Sequence, residues 1–82
     1  MSRYSVILTA HGNIDHGEDP YEPLFPERVK QAATIEECQQ IVRDFINETD
    51  IGGGNWTGGQ VYDTKSGSHI GNISYNGRYW PQ

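Results

Sequence analysis

The sequence predicts a small α+β fold. The expected form is an antiparallel sheet of four to five short strands with one amphipathic helix packed on one face, in the order β-β-α-β-β-β. Three observations predict it. Residues 34–46 combine a capping box with apolar residues at steps of three and four. Residues 60–80 read as β-runs separated by glycine-containing turns. The chain has 82 residues, of which 34% are hydrophobic, so it forms one domain, 1–82, with a thin core. A mean hydropathy of -0.72 agrees with that.

Tyr4-Ser5-Val6-Ile7-Leu8-Thr9-Ala10 opens the fold as a strand rich in β-branched and aromatic residues. Tyr4, Val6 and Leu8 share one face, and the mixed second face (Ser5, Ile7, Thr9) predicts a central position. Residues 11–26 differ in kind: two His-Gly pairs, four acids and the prolines Pro20, Pro23 and Pro26 make a long acidic loop. Leu24 and Phe25 are expected to anchor its far end, leaving its acidic middle open to a partner. Residues 27–32 form either a second strand or an extended lead-in to the helix.

In the helix, Thr34 is expected to cap the Glu37 amide while Glu37 reaches back to the cap amide. Ile35, Cys38, Ile41, Val42, Phe45 and Ile46 give a single apolar stripe of about four turns. The helix should end near Thr49-Asp50, with Gly52 as the residue of positive φ that stops it. Gln60–Asp63 is the next strand, a turn through Gly67 leads into 68–75, and Asn76-Gly77 reverses the chain into Arg78-Tyr79-Trp80. Asn-Gly suits a type I′ turn because both residues tolerate positive φ.

Composition narrows the function classes. The net charge is -5, and residues 15–50 hold ten acids against three bases. Such a field repels nucleic acid and attracts basic protein surfaces. No apolar run approaches the roughly 20 residues of a membrane span, and Met1-Ser2-Arg3-Tyr4 leads into no long apolar h-region with a small-residue cleavage site, so export is not expected. The single cysteine, Cys38, excludes an internal disulfide and lies on the helix stripe, so a buried thiol in a reducing, intracellular setting is expected.

The glycine run 52–59 follows a helix, opens a strand and has no lysine, which is turn chemistry and not a phosphate loop. His11, His16 and His69 lack the paired spacing of a zinc site, and Asp15, Glu18 and Asp19 lack the ligand pattern of a calcium loop. No nucleophile, base and orienting group stand together, so a non-enzyme without metal or cofactor is expected. Trp56, Tyr62, Tyr75, Tyr79 and Trp80 concentrate aromatic area in the second half, either as core or as an exposed sheet face.

With Trp56-Thr57-Gly58-Gly59 and Ile73-Ser74-Tyr75-Asn76-Gly77-Arg78-Tyr79-Trp80 in view, the chain resembles the small acidic proteins of phages and mobile elements, notably the anti-CRISPR inhibitors. The resemblance lies in size, acidity and one helix on a short sheet. It implies a cytoplasmic protein of an infected bacterial host that occupies a nucleic-acid-binding surface of a CRISPR effector, by DNA mimicry or by steric cover. No site residues are carried over from that family. The residues themselves nominate Asp15, Glu18, Asp19 and Glu22 in the loop, with Glu36, Asp44 and Glu48 on the helix, as contacts to a basic protein surface. Tyr79 and Trp80 serve the alternative, a protein-interaction or adaptor module, possibly homodimeric, that uses an aromatic sheet face.

Overall fold

A computed structural model describes residues 3–13, 17–19 and 21–82. The elements are β1 (Tyr4–Leu8), β2 (Arg28–Ala32), α1 (Ile35–Thr49), a 3₁₀ turn (Gly53–Asn55), β3 (Gln60–Asp63), β4 (His69–Ile73) and β5 (Tyr79–Pro81). They form one five-stranded sheet in the order β2-β1-β3-β4-β5, with every neighbouring pair antiparallel. Residues 28–32 are therefore a strand, and β1 lies inside the sheet between β2 and β3. No helix among the described residues is long and apolar enough to cross a membrane.

Helix α1 packs on the face of the sheet presented by β1, β2 and β4. Register decides which residues meet it. Val6 stands opposite Val61, and Ile73 opposite Tyr79, so Val6, Leu8, Val61 and Ile73 all point towards the helix and are buried. Cys38, Val42 and Phe45 face them from α1, four residues or fewer apart along one stripe. Phe25 and Trp56 close the end of this core against Phe45, at ring-centroid distances of 6.2 and 5.9 Å.

Both helix ends refine the expectation. Thr34 Oγ1 accepts from the Glu37 amide at 3.1 Å, as a capping box requires. The return bond differs by one residue: Glu37 Oε2 takes the Ala33 amide, at 3.0 Å, because the chain bends at Ala33 as it leaves β2. At the other end Asp50 adopts the left-handed conformation, φ 53°, and its amide donates to Ile46 O. Gly52 has φ -83°, so Asp50 stops the helix and Gly52 does not. Asp tolerates this conformation through its short polar side chain. Stopping there lets the next residue, Ile51, turn inward and become 93% buried, with 7% of its surface exposed.

Glycine is required where the β3 and β4 backbones converge: Gly59 has φ 96°, and a Cβ there would lie 2.0 Å from Ile73 O. The acidic loop is tied down among its described residues. His11 pairs with Pro23, Gly12 N donates to Glu22 O, and Leu24 N donates to Ala10 O. Phe25 anchors the far end as expected, whereas the Leu24 side chain is exposed; the bridge to β1 holds Leu24 through its backbone alone.

Candidate functional site

Two surfaces carry the acids nominated from the sequence. The first is the outer face of α1. Glu36, Gln40, Asp44 and Glu48 follow one another at four-residue steps, and all are exposed. At 1.5 Å per residue the row is about 18 Å long, with side chains repeating about every 6 Å. Gln40 Nε2 donates to Asp44 Oδ1 at 2.8 Å, which fixes one carboxylate. Glu48 lies 3.8 Å from Arg28, an ion pair with both partners well exposed. Such a pair contributes well under about 1 kcal/mol and yields readily to a better partner. Glu36 sits in the first turn, where the helix dipole favours a negative charge.

The second acidic region is the loop, and here the structure redistributes the roles. Glu18 Oε1 accepts from the Asn13 amide at 2.9 Å and from Asn55 Nδ2 at 3.1 Å. Asp19 Oδ1 accepts from the Tyr21 amide at 2.9 Å. These carboxylates shape the loop, so its acidic middle is not simply open to a partner. Glu22 is exposed and makes no side-chain hydrogen bond among the described residues. Asp15 lies outside the described residues. Glu18, Asp19 and Glu22 border an open depression of about 460 Å³.

Asn55 is the residue that sequence reasoning missed. It is 8% exposed, and its side chain is fully engaged. Nδ2 donates to His11 O and Glu18 Oε1, while Oδ1 accepts from Gly52 N. One buried amide thus fastens the acidic loop to the turn after the helix. Only the run of glycines around it hinted at a special backbone there.

The other face of the sheet has no helix on it. Trp80, opposite Asn72, is 53% exposed, and the Arg78 guanidinium carbon lies 4.8 Å from its ring centroid. Tyr62 and His69 stack at 5.2 Å, and His69 Nε2 donates to Asn72 Oδ1 at 3.1 Å. Tyr79 does not belong here. It stands opposite Ile73, packs against the core, and donates its hydroxyl to Ile70 O at 3.1 Å. Burial, with Tyr4 and Cys38 nearby, raises its pKa. One residue of difference puts Tyr79 and Trp80 on opposite faces, because side chains alternate along a strand. Tyr75 is also diverted: it lies beyond β4 and donates to Ile51 O at 2.8 Å.

His11, His69 and the cysteine show little chemistry, and His16 lies outside the described residues. Thr57 Oγ1 lies 2.7 Å from His11 Nδ1 and 3.0 Å from Thr9 Oγ1. This is a hydroxyl–imidazole contact without an orienting group for the ring among the described residues, and it clasps 55–57 to the end of β1. Cys38 is fully buried; desolvation pushes its thiol pKa up, and Glu37 adds to the shift. A protonated, enclosed thiol is a poor nucleophile. Among the described residues no group of three His, Cys, Asp or Glu is placed to hold a metal ion. Comparison with protein-family models, with curated proteins and with solved structures finds no match.

Proposed function

We propose that this chain is a non-catalytic inhibitor of the anti-CRISPR kind, which lays the acidic row of α1 against a basic, nucleic-acid-binding surface of a CRISPR effector and keeps target DNA off it. The observation that supports the reading is the row itself. Glu36, Asp44 and Glu48, with the neutral Gln40 between the first two, stand exposed along one row of a helix fixed by its cap and by three buried side chains. A surface that binds DNA presents Lys and Arg to phosphates, and carboxylates held on a rigid element can pair with the same cations. Glu22 adds an exposed carboxylate on the loop. The setting that goes with this reading is the cytoplasm of an infected bacterium.

The test is a triple charge reversal, Glu36→Lys, Asp44→Lys and Glu48→Lys, assayed for protection of a phage from interference by a panel of CRISPR systems. The wild-type chain should protect against at least one system, with effector binding that weakens as salt rises. The triple variant should lose protection while melting like the wild type. Unchanged protection by the variant would end the electrostatic reading. A second reading has its own observation: Trp80, half exposed beneath Arg78 on the uncovered sheet face, suits an adaptor interface. Trp80→Ala would then abolish partner binding, and high salt would not.

A further inference from the structure

We infer that β2 is a homodimer interface, through which two copies join edge to edge about a two-fold axis at Val29 to make one continuous antiparallel sheet. The orientation of the backbone comes first. The carbonyls of the odd-numbered residues of β1 and its flanks face β3: Thr64 N donates to Arg3 O, Gly59 N to Ile7 O, and Thr57 N to Thr9 O, while the Arg3 amide, ahead of the strand, turns to Ala32 O. The even-numbered residues therefore face β2. Since Val6 pairs with Lys30 and Leu8 with Arg28, the peptide groups of Arg28 and Lys30 point into the sheet. Those of Val29 and Gln31 point outward, along an edge where four of five residues are exposed. An exposed edge of this kind is a template for another strand.

The groove above that edge names the occupant. It has a volume of about 240 Å³ and an apolar floor of Leu8, Ile41 and Phe45. Arg28 and Lys30 form the strand-side wall, and Asp44 and Glu48 the helix-side wall. Two cations facing two anions make a surface complementary to itself, which is what a two-fold interface needs because the same patch serves both partners. An acidic or a basic peptide would meet repulsion from one wall; a second copy brings both signs.

Register follows from the same residues. An axis at Val29 sets the 55%-exposed Val29 against its own counterpart on the uncovered face, and Gln31 against Glu27 of the second copy. On the helix side it brings Arg28 beside the second copy's Lys30, a like-charge contact that is unfavourable by itself. Asp44 and Glu48 of both copies line that space and compensate it. An axis at Lys30 would instead place two lysines directly opposite. The other sheet edge does not compete. β5 has three residues and ends in Pro81, which has no amide to donate.

The experiment is light scattering after size exclusion on the full chain, at up to about 0.5 mM so that any dimer tighter than millimolar is seen. The wild type should run at twice its 9.2 kDa mass. Val29→Pro removes an outward amide that the β1–β2 ladder does not use, so it should halve the mass and leave the circular dichroism spectrum unchanged. Val29→Lys, a change at an exposed side chain that sets two like charges directly opposite each other at the axis, should halve it too and decides the matter if the proline variant misfolds. A monomeric wild type, or a folded variant that stays dimeric, overturns the proposal. A monomer leaves the charge-reversal test of α1 untouched; because Asp44 and Glu48 also line the seam, light scattering on the triple charge-reversed chain tells loss of the dimer from loss of effector binding.

Discussion

The helix and the loop carry acids at similar density, yet the fold uses them differently. On α1 the backbone satisfies its own hydrogen bonds, so Glu36 and Glu48 are left at the surface in a fixed row. In the loop the backbone has no such ladder. Glu18 and Asp19 supply the missing acceptors for Asn13, Tyr21 and Asn55. A carboxylate that accepts buried or backbone donors is part of the scaffold, and removing it leaves those donors unpaired. The count of negative charges therefore overstates what a partner can reach, and secondary structure decides by how much.

That contrast can be broken from the loop side most severely. Asn55→Ala deletes three hydrogen bonds at a site 8% exposed and should cost about 1–3 kcal/mol. The loss should appear in thermal denaturation, together with faster proteolysis within 11–26 and little change in the spectrum of the helix. Proteolysis at wild-type rates would mean that the loop does not depend on this amide. On the helix side, Thr34→Ala removes the cap and should cost about 1 kcal/mol. Hydrogen exchange should then quicken over the first turn, which carries Glu36, and leave the loop's protection unchanged. The smallest effect is expected for Glu48→Gln. Its ion pair with Arg28 is long and exposed, so stability should change by less than about 0.5 kcal/mol in urea titrations.

Much of the fold was legible because it rests on local signals. Thr34 and Glu37 announce the helix start, and the spacing of Cys38, Val42 and Phe45 announces its buried stripe. Asn76-Gly77 marks the last reversal, but only Gly77 takes positive φ and Gly77 N donates to Ser74 O, so the turn is not the expected type I′. The candidate site was legible in part. Glu36, Asp44 and Glu48 fall on one row because helical periodicity is a property of the chain alone. Tyr79 could not be placed that way. Its strand has three residues, too few for alternation to indicate a face, and only pairing with Ile73 decides that it turns inward while Trp80 turns outward. Leu24 likewise looked like an anchor and is held instead by its amide.

What the sequence by itself determined is the kind of molecule: one helix, a short antiparallel sheet, and acids gathered on the helix and the loop before it. Local propensity and periodicity act over a few residues, and they suffice for that. Tertiary structure alone decided which acids are engaged, which aromatic faces outward, and that β2 rather than β5 offers a usable edge. Those outcomes depend on contacts between residues far apart in the chain, such as Asn55 with Glu18 or Arg28 with Glu48, which no window of neighbouring residues contains.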